Sequence, residues 1–371
     1  MRIVEYLLCL CLAACALPTA HADYGPATLP SPGNDDADYP GVEWATASPE
    51  SLGFSAPELA KVRDYFDDIG GDALVAVKGG KIFLSWGEVA KPITNYSIRK
   101  SYLNSLLGIE HGERRLDLQL TLAELGTDDK EGLTAAEKEA RLRDLLITSS
   151  GVYHPGAYES EMQKGARPPR GSFRHGEFFY YNNWDFNALG QIYMQIAGQD
   201  IFAAFAKKIA VPIGMQDFAL EHTRYRHDDA SRYPAYEFDS SARDDARFGY
   251  LFLRNGRWGD RQLIPAEWVQ MSTSPQVVTG PYYYYDYGYL WWVDSKNGQY
   301  FARGNSGQYI AVLPKHDMVI VFRADPGSVI RKWLGLRVKP QESFLLIPKI
   351  LSTAKDGDKP GLVVLRRLNE S

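Results

Sequence analysis

Beyond residue 15 the sequence has no cysteine. Its three, Cys9, Cys11 and Cys15, stand in the first fifteen residues. The rest of the chain therefore has no disulfide framework and no cysteine metal site. An excess of positive charge is missing too: 41 Lys and Arg against 46 Asp and Glu leave a net charge of −5. That balance argues against a nucleic-acid surface or a polybasic membrane face. No apolar run reaches the roughly 20 residues that cross a bilayer as a helix, so no transmembrane span is expected in the mature chain. The histidines are scattered singly, with no H-E-x-x-H and no paired ligand spacing, and no metal or other cofactor is expected. G-x-S-x-G is absent, which removes the nucleophile elbow of an α/β-hydrolase. There is no internal repeat.

What is present is a large potential core. Hydrophobic residues make up 45% of the 371, charged residues 23% and aromatic residues 13%, with 23 tyrosines. This composition builds an ordered chain, as one large domain or two lobes. The tyrosines suit a large core or an aromatic-lined pocket. Residues 1–22 carry Arg2, the apolar stretch "YLLCLCLAACALP" and the A-x-A site "AHA", and are expected to be a signal peptide of a periplasmic or secreted protein. "LAAC", Leu12 to Cys15, also fits a bacterial lipoprotein box, with Cys15 as the lipidated residue. Both processing routes stay open.

Residues 23–50 are rich in Pro, Gly, Asp and Ser and form an extended lead-in. "SAPELAKVRDYFDDIGG" predicts a helix capped by Ser55 and stopped by Gly70. "ALVAVKGGKIFLSWG" predicts a hairpin about Gly79-Gly80. Residues of about 127–235 are helical stretches and loops. Then "YGYLWWV", "QYFARG", "QYIAVLP" and "MVIVFRAD" are successive strands. The order is sheet, helices, sheet. It predicts one α/β part from about 51–126 and 236–355, an inserted helical part, and a cleft between them, with 356–371 as a tail.

"NYSIRKSYLNSLLG" places Ser97 and Lys100 three apart at the head of an apolar helix, on one face. A serine hydroxyl needs a base to become a nucleophile, and a lysine serves only if its pKa falls. Adjacent Arg99 points elsewhere around the helix and is given no role. Ser-x-x-Lys is a weak pattern that recurs at Ser352–Lys355, so the alternative is an ordinary capped helix.

The ordered set of motifs is more specific. "SIRKSYLNSLLGIEHGERRLDLQLTLAELG", "LRDLLITSSGV", "FFYYNNWDFNALGQIY" and "YGYLWWV…ARGNSGQYIAVLP" resemble, in order, the segments of serine hydrolases related to class C β-lactamases and penicillin-binding proteins. The resemblance implies that fold, an antiparallel sheet flanked by helices with an inserted helical domain. It implies Ser97 as the acylated nucleophile, Lys100 as its partner and a Tyr-x-Asn pair. "YYNN" allows two registers, of which Tyr181 with Asn183 is the better match. The phenol could relay a proton if cations lower its pKa. Where relatives carry Lys-Thr-Gly or His-x-Gly, this chain has "GNSGQ": Asn305, Ser306 and Gly307, then Gln308. By the resemblance Gly307 would admit the substrate, and Asn305 would border it. The Gln308 N–H would be a second oxyanion donor. The lost lysine removes a cation for a substrate carboxylate and favours a neutral ester or amide. Trp291, Trp292 and "YYYYDYGY" could line an acyl pocket or fill the core.

The expected function is an exported serine hydrolase acting on a small-molecule ester or amide through an acyl-enzyme. Two alternatives remain. One is a β-lactamase, or a D-amino-acid peptidase or penicillin-binding protein, with its carboxylate anchor elsewhere, Arg303 being the candidate. The other is a non-catalytic envelope binding protein on the same fold.

Overall fold

The computed structural model describes residues 38–280, 283–327 and 338–355. The leader with Cys15, the lead-in before residue 38 and the tail from 356 lie outside the described residues. In chain order the helices are α1 (Ala56–Asp68), α2 (Arg99–Gly112), α3 (Ala135–Lys138), α4 (Leu142–Leu146), α5 (Glu161–Ala166), α6 (Asn183–Ala197), α7 (Ile201–Phe205), α8 (Ala242–Leu253), α9 (Ala266–Thr273), α10 (Pro340–Phe344) and α11 (Leu346–Ser352). The strands are β1 (Ala73–Lys78), β2 (Lys81–Gly87), β3 (Ile93–Thr94), β4 (Thr223–Arg226), β5 (Ala235–Ser240), β6 (Arg257–Trp258), β7 (Arg261–Gln262), β8 (Asp286–Tyr287), β9 (Trp292–Asp294), β10 (Gln299–Arg303), β11 (Tyr309–Leu313) and β12 (Met318–Arg323).

The main sheet has seven antiparallel strands in the order β2-β1-β12-β11-β10-β9-β8. Gly79 and Gly80 both take positive φ, +55° and +78°, and make the tight turn of the first hairpin. The chain leaves this sheet after Gly87 and returns at Asp286. The last strand, β12, then inserts beside the first, pairing Ala73 with Arg323 and Lys78 with Met318. Alternation along the strands sets the layers. Val75, Val77, Ile310, Val312, Val319 and Val321 face α2 and α8. Leu74, Ala76, Leu313, Ile320 and Phe322 face α1 and α11.

Helix α2 is central. Every residue from Arg99 to Glu110 is buried. A helix enclosed on all sides must satisfy its polar side chains inside the protein. Ser101 Oγ donates to Leu290 O at 2.8 Å, and Asn104 Nδ2 donates to Tyr289 O at 2.8 Å and Ser272 Oγ at 2.9 Å. Gly108 lets Trp268 lie flat on the helix, since a Cβ there would stand 2.3 Å from the indole. The head of α2 is thus fixed from several directions.

The described end of the lead-in is pinned. Ile82 N–H donates to Ala45 O at 2.9 Å, and Ala47 N–H to Ile82 O at 3.0 Å, extending the β2 edge. Arg247 of α8 donates to Gly41 O at 2.9 Å, Val42 O at 2.7 Å and Ile213 O at 2.9 Å.

Candidate active site

Ser97 sits in a 3-10 turn, Tyr96–Ile98, that runs straight into α2. The turn is held at both sides. Asn95 N–H donates to Phe238 O of β5 at 2.9 Å, and Gln308 Nε2 donates to Thr94 O at 3.1 Å. Tyr96 has φ +50°, a left-handed conformation that a tyrosine adopts only when its surroundings impose it. Its ring stacks on Tyr158 with centroids 6.2 Å apart and planes 2° apart. One helical turn on, Lys100 brings its amine back to the serine: Nζ stands 2.7 Å from Ser97 Oγ. The same nitrogen stands 3.0 Å from the Tyr181 hydroxyl. Tyr181 immediately precedes the N-cap of α6, where Asn182 Oδ1 accepts from Trp184 N–H at 3.1 Å.

The surroundings bias the protonation of both groups. Lys100 Nζ lies 4.4 Å from the ring centroid of Tyr181 and 4.3 Å from that of Phe186. Burial pushes the amine well below the usual lysine range, and the Arg99 charge lowers it further. Arg99 therefore does act on the pair. Its guanidinium stacks 4.4 Å over Tyr236 and donates to Asn187 Oδ1 at 3.0 Å. The Tyr181 phenol goes the other way from expectation. Burial raises it to about 12, outweighing its hydrogen bond with Ser97 and the charges of Arg99 and Arg303. Burial thus favours the neutral form of both the phenol and the amine.

The sequence model of the Beta-lactamase family matches residues 60–325. The chain belongs to the beta-lactamase family. The family gathers serine hydrolases, among them esterases and amidases, together with penicillin-binding-protein homologues. Comparison with curated proteins finds no match. Among solved structures, the fold is shared with a Bacillus anthracis protein provisionally named a 6-aminohexanoate-dimer hydrolase (TM-score 0.62, 21% identity, 85% of this chain and 89% of that one). It is shared with an octameric penicillin-binding protein homologue from Pyrococcus abyssi (TM-score 0.61, 16% identity, 84% and 80%). A family VIII carboxylesterase has it too (TM-score 0.58, 15% identity, 81% and 99%).

Against the family's motifs, the register of "YYNN" becomes clear. Tyr181 reaches Lys100, whereas Tyr180 is buried and donates to Gln163 O at 2.9 Å. Asn183, the second member of the Tyr-x-Asn pair, is committed to the protein. Its Nδ2 donates to Tyr158 O at 2.6 Å and its Oδ1 accepts from Gln163 Nε2 at 3.2 Å. It holds the 157–163 segment beside the site rather than opening onto it. Gly307 also differs from expectation. A Cβ there would stand 2.5 Å from Ser343 Oγ, so its missing side chain admits α10, not substrate. The Gln308 N–H makes a long contact of 3.4 Å to Asn305 O. Asn305 is exposed at the site's edge, its Oδ1 accepting from Ser306 N–H at 2.8 Å.

The glycine that matters is one the sequence reading passed over. A Cβ on Gly304 would stand 2.7 Å from Asn95 O, so its absence lets the end of β10 close on the Ser97 turn. The signal was there: a glycine directly after a β-rich run, at the family's third motif. The tryptophan pair divides by strand alternation. Trp291 is core, parallel to Phe248 at 6.1 Å, and Trp292 stacks on Tyr181 at 5.3 Å. Tyr283 packs on Trp292 at 5.4 Å and on Phe179 at 5.4 Å, extending an aromatic wall from Tyr181. Tyr282 lies outside the described residues. Among the described residues, no three His, Cys, Asp or Glu side chains gather as metal ligands.

Proposed function

We propose that this protein hydrolyses a small-molecule ester or amide through an acyl-enzyme on Ser97. The observation that carries the reading is the buried Lys100 amine, 2.7 Å from Ser97 Oγ and 3.0 Å from the Tyr181 hydroxyl. As Ser97 Oγ bonds to the carbonyl carbon, its proton passes to the neutral amine. The carbonyl electron pair moves onto oxygen. The Ser97 backbone N–H, at the start of its helical turn, receives that charge. The proton then travels from Lys100 through the Tyr181 phenol to the leaving oxygen or nitrogen as the old bond breaks. Water attacks the acyl carbonyl with the amine again as base, and Ser97 departs with the proton. On its leader-like residues 1–22 we place this reaction outside the cytoplasm.

The test is the intact mass of wild type and Ser97→Ala after incubation with a fluorophosphonate. A single adduct on Ser97, lost in the variant, is expected. An adduct that persists in Ser97→Ala, or none on the wild type, overturns the reading. A parallel incubation with a penicillin checks the β-lactam-recognising alternative, which a covalent adduct would favour.

A further inference from the structure

Among the described residues nine large hydrophobic side chains are exposed, and six of them stand on two segments that touch. Met162, Phe173 and Phe178 lie on the stretch that leads into Tyr181, and Val278, Tyr283 and Tyr284 on the loop before β8. The segments meet where the Tyr283 ring packs on Phe179, with centroids 5.4 Å apart. Both are held in place. Gln163 of α5 donates to Tyr181 O at 3.1 Å. Tyr287 N–H donates to Val277 O at 3.1 Å and Thr279 Oγ1 to Tyr285 O at 2.7 Å, so the loop folds back on itself. Phe173 and Phe178 stack at 4.4 Å, yet each keeps 39% of its surface exposed, and Met162 keeps 82%. Apolar side chains scattered singly over a surface call for no partner, but six gathered on two fixed segments mark a surface that apolar matter covers.

What covers it follows from where the surface leads. From Tyr283 a row of rings runs inward: Trp292 at 5.4 Å, then Tyr181 a further 5.3 Å on, whose ring lies 4.4 Å from Lys100 Nζ. Lys100 in turn stands on Ser97 Oγ. An apolar surface continuous with the reacting groups fits a molecule that reaches them, not one that stops at the outside of the protein. Successive rings from Tyr181 to Phe179 are inclined to one another by 28°, 35° and 79°, so no single plane runs along the row. A flexible chain follows such a surface, and a flat ring does not. We propose that these two segments form an apolar track for the substrate, with Tyr283 and Phe178 as its specificity-determining residues. The substrate class is an ester or amide that carries an extended alkyl chain on its acyl part or its leaving group. This rests on the serine-hydrolase reading. The scissile bond lies at Ser97, and the chain runs out past Tyr283 towards the Phe173–Phe178 pair.

Four neutral esters test it. 4-Nitrophenyl octanoate is paired with 4-nitrophenyl butyrate, for a chain on the acyl side, and octyl acetate with butyl acetate, for one on the leaving side. Each kcat/KM ratio is divided by the ratio of hydroxide-catalysed rates, which removes intrinsic reactivity. A methylene withdrawn from water can contribute about fourfold to binding. Four of them on a track that stays partly wet should give about a tenfold preference for the longer member of at least one pair. Tyr283→Ser combined with Phe178→Ser should reduce that preference to about threefold or less. Tyr283→Phe, which keeps the ring, should retain it. Taking the ratio within each variant cancels any loss of rate common to both esters, and thermal melts check that each variant folds. A wild-type ratio near one in both pairs, or a preference unchanged in the double variant, overturns the proposal. So does a ratio near one together with binding to phosphatidylglycerol vesicles that the double variant loses, since a membrane is then what covers the surface. A fluorophosphonate adduct on Ser97 with hydrolysis of none of the four esters overturns this proposal alone. Neither hydrolysis nor adduct overturns the serine-hydrolase reading and takes this one with it.

Discussion

A lysine is a base only while it is neutral, so the decisive property of Lys100 is what surrounds it. Burial lowers its pKa first and the Arg99 charge second. The neutral form is present above the lowered pKa and lost below it. kcat/KM for a non-ionising ester should therefore rise with pH along a limb well below the usual lysine range. Replacing Arg99 by Met removes a positive charge, raises the Lys100 pKa, and should move that limb to higher pH. The pH profiles of the two proteins check this, and coincident limbs would leave burial as the only cause. Lys100→Arg keeps a charge but cannot deprotonate, and should lower kcat by about 10²- to 10⁴-fold. Tyr181→Phe should lower kcat while leaving the limb in place, because the phenol, pushed up to about 12, is not the group that titrates there.

Between elements, the site depends on how closely β10 approaches the head of α2. Gly304→Ala puts a Cβ 2.7 Å from Asn95 O and must push the strand away. A displacement near 1 Å at a catalytic centre can reduce the rate about 10²-fold, so kcat/KM should drop by about tenfold or more. Gly307→Ala should instead lower the melting temperature, since its Cβ strikes Ser343 and its φ is +74°. Steady-state kinetics and melts on both variants separate the two roles. The contrast marks what was legible in the sequence. The Gly79-Gly80 hairpin, the Ser97-x-x-Lys100 spacing and the run of late strands are written in local pattern and appear as expected. The roles of Asn183 and Gly307 are not local. They follow from α5 and α10 packing against the site, contacts that join residues 20 to 36 apart in the chain. Arg99 shows the same limit. Its position on the helical wheel is visible, but that its guanidinium is sealed under Tyr236 of β5 is not.

Across the whole molecule, one buried network joins the parts that carry Ser97. Asp245 of α8 accepts from Arg323 at the end of β12 and from the Tyr102 hydroxyl of α2. Arg323 also donates to Ile93 O of β3 and to Ser240 Oγ of β5, the latter at 3.1 Å. The main sheet, the small β3-β5-β4 sheet and the two central helices thus meet on one ion pair with no exposed surface. Removing Arg323 strands the Asp245 charge and the Ile93 carbonyl in a medium that cannot solvate them. Arg323→Met should destabilise the fold by about 3–5 kcal/mol. In a domain of this size that lowers the melting temperature by roughly 10 °C. Lys61 and Glu58 on α1 are also an ion pair, at 2.8 Å, but with side chains 72% and 53% exposed. Lys61→Met should change stability by less than about 1 kcal/mol, because water already solvates both ends. Calorimetry on the two variants checks the contrast. If Arg323→Met melted like Lys61→Met, the network would not be what holds α2 to the sheet, and the placing of Ser97 would have to come from apolar packing alone.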